Sequence, residues 1–144
     1  MNIVVASADW ASELCALDHS LAFSAHWTLT GWQMELKQPA AKVWSAWQAE
    51  QLLGFLCVRG VLDQYEITNL AVKQSAQRKG IATHLLTHGI DALKAAGCTY
   101  LSLEVSAQNL AAQALYVKAG FTKQSVRKQF YTDGSDAWIL GKNI

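Results

Sequence analysis

Hydrophobic residues in this chain follow two different spacings, and each change of spacing predicts a new element. Short runs rich in Val, Ile, Leu and aromatic residues are typical of strands. Such runs predict strands at Asn2–Ala6, Val43–Ala49, Leu52–Gly60, Tyr65–Val72, Thr99–Val105, Val126–Tyr131 and Ala137–Leu140. Apolar residues three and four positions apart predict helices. These helices lie at Asp9–Leu17, between Thr28 and Pro39, at Ile81–Ala96 and at Asn109–Ala119.

Cap and turn residues agree with this order of elements. Ser7 or Asp9 is suited to cap the first helix, and Gly97 follows the predicted end of the third. Glu50–Gln51 separates the two strands of a predicted hairpin. We therefore expect an α/β fold, in which helices cover both faces of a mixed sheet. The 144 residues have the length of a single domain, residues 1–144.

Composition narrows the class of protein. Hydrophobic residues make up 51% of the chain and the net charge is +1, so no basic surface for nucleic acid is expected. No apolar run has the length of a membrane span, and Met1–Val5 lacks the basic start of a signal peptide. Cys15, Cys57 and Cys98 are widely spaced and odd in number. They are interpreted as reduced core thiols of a cytoplasmic protein.

The most informative segment joins a strand to a helix through a glycine-containing loop. Leu70–Val72 ends an apolar run, and Arg78–Thr83 leads into the next helix. The first N–H groups of a helix have no partner within it, and the helix dipole places partial positive charge there. Gly80 and the small Ala82 would let a pyrophosphate approach the backbone. A plain polar turn before a helix remains the alternative from this segment alone.

Neither of two common nucleotide-binding motifs is present. The chain has no G-x-x-x-x-G-K-[ST] run and no three-glycine dinucleotide fingerprint. Gln77–Ala82 instead resembles the Q-x-x-G-x-[GA] loop of the GNAT acetyltransferases. Leu101–Val105, Asn109, Ala114–Tyr116 and Ala119–Phe121 resemble the later motifs of the GNAT branch that acetylates ribosomal-protein N-terminal alanine. The segment E-I-T-N-L-A-V before the loop resembles a strand of the same branch.

This resemblance implies a GNAT fold, acetyl-CoA as the co-substrate and a set of residues that bind it. The implied coenzyme-binding residues are Leu70, Ala71, Val72, Arg78, Lys79, Gly80, Ile81, Ala82, Thr83 and Asn109. A backbone N–H of the strand would polarise the thioester carbonyl, in the manner of an oxyanion hole. Arg78 and Lys79 are expected to add charge beside the phosphates or, alternatively, to be solvated loop residues.

Acetyl transfer to an amine needs a group that accepts a proton and a group that donates one. An α-amine is a weaker base than lysine, so a carboxylate suits it better. Glu104 ends a predicted strand, and the resemblance makes it the base, with Glu66 as the rival. Tyr116 lies two helical turns after Asn109, and the resemblance makes it the proton donor to the leaving thiolate. A solvated carboxylate and a half-buried structural tyrosine are the alternatives.

Four residues are expected to contact the substrate: Trp27, Glu66, Tyr131 and Asp136. Trp27 and the Phe130–Tyr131 and Asp136–Ala137 pairs resemble family segments that border the peptide groove. Ser106 stands where the branch often has arginine, which is a departure from the pattern. His84 and His88 lack the glutamate and third ligand of a zinc site, so no metal is expected.

These observations predict an enzyme that transfers acetyl from acetyl-CoA to a protein N-terminus. The branch implies the N-terminal alanine of a small-subunit ribosomal protein, with neither nucleic acid nor membrane as a partner. Two alternatives stay open. One is a GNAT enzyme acting on lysine or a small-molecule amine, and the other is a non-catalytic module that binds acyl-CoA.

Overall fold

The computed structural model describes residues 1–144 and confirms the mixed α/β fold. Its strands are β1 Asn2–Val5, β2 Ala41–Gln48, β3 Gln51–Val61, β4 Gln64–Val72, β5 Tyr100–Ser106, β6 Thr122–Arg127 and β7 Ala137–Asn143. Its helices are α1 Ala11–His19, α2 Leu29–Lys37, α3 Ile81–Ala95 and α4 Leu110–Lys118, with 3₁₀ turns at Ala8–Trp10 and Gln74–Ala76. None of the four helices combines the length and the hydropathy that a membrane span requires.

All seven strands form one sheet in the order β1-β2-β3-β4-β5-β7-β6. The β4–β5 pair is parallel, and every other neighbouring pair is antiparallel. A parallel pair needs a crossover, which α3 supplies between β4 and β5. The loop before α3 therefore lies at the C-terminal end of β4, where ligands bind in many open α/β sheets.

Two hydrophobic clusters cover the two faces of the sheet. The larger one, called here the α3/α4 cluster, includes Leu85 and Leu93 of α3 and Tyr116 of α4. The smaller one, called here the α1/α2 cluster, includes Leu14 of α1 and Trp32 of α2. Side chains alternate between the faces along a strand, so cluster membership shows which face a residue occupies. All three cysteines are unpaired, and Cys57 and Cys98 are buried as expected of core thiols.

A β-bulge in β4 separates this strand from β5. Asn69 pairs with Cys57 and Ile67 pairs with Val58, so Thr68 is an extra residue without an opposite partner. Pairing between β4 and β5 also ends at Ile67, opposite Leu103. Beyond this point the two strands diverge. The bulge was not predicted from the sequence, and it opens the cleft described below.

Two predicted turns are misplaced, and β7 runs to Asn143 and not only to Leu140. β6 begins at Thr122 and ends at Arg127, so Phe130–Tyr131 lies in the β6–β7 connection and not in a strand. Gln129 has a positive φ of 50°, and its N–H donates to Asp136 Oδ1, which turns the chain out of the sheet. The β2–β3 hairpin turns at Ala49–Glu50, one residue early, because Ala49 takes the left-handed conformation.

Candidate active site

The candidate site is a cleft of about 490 Å³ at the gap between β4 and β5. Residues 22–26 of the α1–α2 connection form one wall, and residues 130–133 of the β6–β7 connection form another. The cleft is completed by residues 66–70 of β4, by residues 104–106 at the end of β5, and by α4. Six of the predicted site residues line this cleft: Glu66, Leu70, Glu104, Asn109, Tyr116 and Tyr131.

Glu104 enters the cleft from the α1/α2 face of the sheet. Leu103 and Val105 belong to the α3/α4 cluster, so the side chain between them points to the opposite face. The Glu104 side chain is 25% exposed, and its Oε1 lies 3.4 Å from Nη1 of Arg127. The guanidinium is 61% exposed, so this ion pair is screened by solvent. A carboxylate in this position can accept a proton from a molecule in the cleft.

Glu66 lies beside Glu104 on the neighbouring strand. Burial raises the pKa of Glu66, the Glu104 carboxylate raises it further, and the Arg127 guanidinium opposes both effects. The two carboxylates therefore interact, and Glu66 holds a proton more readily than a free glutamate does. The sequence placed both acids in the site but gave no sign of Arg127.

Tyr116 approaches the same cleft from the opposite face. It belongs to the α3/α4 cluster, is 5% exposed, and packs edge-on against Phe121 with ring centroids 5.6 Å apart. Burial raises the pKa of Tyr116 well above its usual value, so the phenol stays protonated. Glu104 and Tyr116 thus face one gap from opposite faces of the sheet.

Asn109 caps the helix that carries Tyr116. Its Oδ1 accepts a hydrogen bond from the N–H of Ala112 at 3.2 Å, which satisfies one free donor of the first turn of α4. The amide NH₂ of Asn109 remains available at the cleft. The predicted coenzyme contact is therefore compatible with a second, structural role for this side chain.

The glycine loop before α3 has the geometry of an anion site. Gly80 has a φ of 80°, in the left-handed region that favours glycine, and directly precedes Ile81, the first residue of α3. No side chain caps α3, so the N–H groups of Ile81, Ala82 and Thr83 have no partner in the helix. A Cβ added at Gly80 would meet only the His84 ring, at 4.0 Å. The loop is therefore open to a ligand.

The end of β4 is tied to this loop and exposes backbone donors. The Gln77 side chain donates to the carbonyl of Val72 at 3.0 Å. Lys73 N–H donates to Leu53 O across the β3–β4 ladder at 2.7 Å. Because N–H groups alternate sides along a strand, those of Leu70 and Val72 point to the side that β5 leaves. Both the strand end and the helix start can thus offer N–H groups to one ligand.

The predicted substrate residues do not all reach the cleft. Tyr131 lines the cleft. Burial raises the pKa of Tyr131, and the negative charges of Glu104 and Asp133 raise it further. Trp27 is outside the lining and packs against Trp32 with ring centroids 4.9 Å apart. Asp136 accepts from Gln129 N–H at 3.0 Å and pairs with Lys128 at 3.4 Å, so it shapes the β6–β7 connection. Its role here is to hold the wall that carries Tyr131.

Asp18 shapes the other wall, and sequence analysis missed it. This aspartate of α1 is fully buried and accepts hydrogen bonds from the N–H groups of His26 and Trp27 and from Trp32 Nε1, at 2.9 to 3.0 Å. It thereby holds residues 22–26 against the sheet. An aspartate near the end of a helix has no sequence signal that separates it from a solvated one.

The cleft brings together a carboxylate and a buried phenol, and backbone donors suited to a phosphorylated ligand lie at the start of α3, outside the cleft lining. This arrangement is compatible with a group-transfer enzyme. The family model described as "Acetyltransferase (GNAT) family" matches residues 9–121. The chain belongs to the GNAT acetyltransferase family. No group of three or more His, Cys, Asp or Glu side chains is placed to hold a metal ion.

Two curated relatives are ribosomal-protein acetyltransferases. The ribosomal protein bS18-alanine N-acetyltransferase of Escherichia coli (strain K12) is 39% identical over 95 residues, which cover 65% of this chain and 64% of the relative. The chain therefore matches somewhat under two thirds of that relative's length. A putative ribosomal protein bS18-alanine N-acetyltransferase of Bacillus subtilis (strain 168) is 32% identical over 125 residues, covering 85% of this chain and 83% of the relative.

Two solved structures have the same fold as this chain over nearly its whole length. The crystal structure of the E. coli ribosomal-protein-S18-alanine N-acetyltransferase has a TM-score of 0.90 at 28% identity, covering 99% of this chain and 93% of that one. A B. subtilis acetyltransferase in complex with CoA has a TM-score of 0.82 at 20% identity, covering 99% of this chain and 98% of that one. This second likeness, at such low identity, concerns the fold alone.

Proposed function

We propose that this chain transfers the acetyl group of acetyl-CoA to the N-terminal α-amine of a protein. The proposed acceptor is the N-terminal alanine of a small-subunit ribosomal protein. The observation that carries the proposal is the placement of Glu104 and Tyr116 on opposite faces of one cleft. Similarity to the bS18-alanine acetyltransferases supports the choice of substrate. A non-catalytic module would not need both groups to meet at one gap.

The backbone donors fit the phosphates and the thioester of acetyl-CoA. The free N–H groups at the start of α3 and the left-handed Gly80 suit a pyrophosphate. The N–H groups of Leu70 and Val72 suit the thioester carbonyl and the amides near it. Bound there, acetyl-CoA supplies an activated acetyl group. Tyr116 would then lie on the coenzyme side of the gap and Glu104 on the amine side.

The proposed reaction assigns each proton to a side chain of this protein. Glu104 accepts a proton from the amine, directly or through a water, as nitrogen forms its bond to the acetyl carbon. A backbone N–H of β4 stabilises the charge that develops on the carbonyl oxygen. Burial raises the pKa of Tyr116, so the phenol is protonated and can donate a hydrogen bond to the sulfur as its charge develops. As the carbon–sulfur bond breaks, Tyr116 donates its proton to the sulfur. Glu104 then releases the amine proton to solvent and Tyr116 regains one from solvent, which restores both groups for the next turnover.

Tyr116→Phe is expected to lower kcat about tenfold or more and to leave the affinity for acetyl-CoA unchanged. The substitution removes only the hydroxyl, which is needed when the thiolate forms and not when substrates bind. Steady-state kinetics with varied acetyl-CoA would measure both quantities. Tyr100→Phe is the matched control, because Tyr100 lies on β5 outside the cleft, and it should keep the wild-type kcat. A change confined to the Michaelis constant would make Tyr116 a binding or packing residue.

Peptides that begin with alanine are expected to be acetylated in preference to lysine side chains. The α-amine has a reference pKa of about 7.7–8.0 against about 10.4 for lysine, so more of it is neutral at pH 7. Mass spectrometry of a peptide panel that varies in the first residue would measure the preference. An N-terminally blocked peptide with an internal lysine is the control.

Acetylation of the blocked peptide alone would contradict the proposal and favour the lysine or small-molecule alternative. One observation favours that second candidate, because Trp27 and Asp136 lie outside the cleft lining. The peptide-groove residues of the branch are therefore only partly represented in the cleft. The peptide panel separates the two candidates without reference to the fold.

A further inference from the structure

One side chain in the cleft has a buried donor without a partner. Asn69 of β4 is 5% exposed, and its Oδ1 accepts a hydrogen bond from the N–H of Ala25 at 3.1 Å. Because a backbone N–H can only donate, this bond determines which end of the amide is the oxygen. The Nδ2 group at the other end is buried and has no hydrogen-bond partner. Asn69 lines the cleft.

A buried donor without a partner costs free energy, and native proteins have few of them. Thr68, the extra residue of the bulge, also has a buried side-chain oxygen without a partner and also lines the cleft. Two unsatisfied groups thus lie next to each other where β4 leaves β5. Their position suggests that a bound molecule completes their hydrogen bonds.

The face of the sheet indicates which molecule Asn69 meets. Leu70 and Val72 contact the α3/α4 cluster, whereas Ala71 belongs to the α1/α2 cluster. Asn69 is two residues from Ala71 and therefore shares its face, as the hydrogen bond to Ala25 also requires. Glu104 enters the cleft from this same face. Asn69 is accordingly on the side of the amine substrate and not on the side of Tyr116.

We infer that Asn69 Nδ2 donates a hydrogen bond to the carbonyl oxygen of the first peptide bond of the substrate. This inference rests on the proposed function and adds a residue that selects the substrate class. In a protein N-terminus, that carbonyl is attached to the carbon bearing the amine. The ε-amine of lysine has only methylene groups at this distance and could not satisfy the donor. Asn69 therefore favours α-amines by a contact that is independent of their basicity.

The test compares two peptides that differ only in this carbonyl. One begins with alanine and has ordinary amide bonds, and the other has a thioamide as its first peptide bond, which keeps the planar shape and the N–H and replaces the oxygen by sulfur, a weak acceptor. With the wild-type protein, we expect kcat/KM to be about fivefold to tenfold higher for the amide peptide, the size of effect a single hydrogen bond produces. In Asn69→Ala, the two peptides should be acetylated at nearly equal rates.

Ser24→Ala is the matched control. The Ser24 hydroxyl donates to Asp18 O and helps to hold the same wall of the cleft, but it is not hydrogen-bonded to the Asn69 amide. This variant should change kcat/KM for both peptides by the same factor and keep their ratio. A loss of wall structure in Asn69→Ala would likewise affect both peptides, so the ratio isolates the missing donor.

Equal rates for the two peptides with the wild-type protein would overturn the inference and leave the proposed function standing. A ratio that survives in Asn69→Ala would do the same, by assigning the carbonyl to another donor. Failure of both peptides to be acetylated, while a lysine side chain is, would overturn the proposed function and this inference together. Where the Asn69→Ala protein does not fold, Asn69→Asp keeps an acceptor for the Ala25 N–H and removes the donor, and the same loss of the ratio is expected.

Discussion

Glu104→Gln is expected to lower kcat by about 10²–10⁴-fold, the usual range for loss of a general base. Glutamine keeps the shape of the side chain but cannot accept the proton of the amine. Part of the loss should be recovered as the pH rises above about 8, because the free α-amine then becomes the main form in solution. Rates measured from pH 6 to pH 9 with an alanine peptide would show both effects.

Glu66→Gln is the matched control for Glu104. The two carboxylates line the same cleft on neighbouring strands and interact with each other. The control should lose much less activity, because Glu66 is expected to contact the substrate and not to take its proton. A wild-type rate in Glu104→Gln, together with a large loss in Glu66→Gln, would reverse the assignment of the base.

Gly80→Trp is expected to abolish binding of acetyl-CoA. The indole would fill the approach to the free N–H groups at the start of α3, where only the His84 ring lies near the added Cβ. Calorimetric titration with acetyl-CoA would measure the affinity, and circular dichroism would verify that the variant is folded. Unchanged affinity in a folded Gly80→Trp protein would remove the pyrophosphate assignment.

Gly97→Trp separates blockage from backbone strain. Gly97 follows the other end of α3, has a φ of 93°, and has no atom within 4 Å of an added Cβ. Both substitutions force a bulky residue into a left-handed conformation, with a comparable cost in stability. Only the one at Gly80 should affect coenzyme binding. Equal losses in both variants would attribute the effect to general destabilisation.

Local signals in the sequence account for the elements that were predicted well. The apolar spacing from Ile81 and the glycine at position 97 predict the start of α3 correctly and its end to within one residue. This is possible because the helix period and the cap are properties of a short segment. The family motifs then indicated Glu104 and Tyr116, which the fold brings to one cleft. Their presence on opposite faces follows from strand alternation and the position of α4.

Features that depend on pairing between distant segments were not predictable. The bulge at Thr68 is a shift in the register between β4 and β3, and a strand pattern carries no mark of it. Asp18 and Asn69 anchor residues 22–26 from two elements, which only the folded arrangement brings together. Phe130–Tyr131 has the composition of a strand, but the hydrogen bond from Gln129 to Asp136 turns it out of the sheet.

The gap between β4 and β5 affects the order in which substrates can bind and products can leave. The cleft is lined from both faces of the sheet, so in the proposed reaction the coenzyme would enter from the α3/α4 face and the protein N-terminus from the α1/α2 face. The thiol product could then leave from the α3/α4 face while the acetylated chain still occupies the α1/α2 face. The proposed protein substrate therefore need not be released before the coenzyme is exchanged.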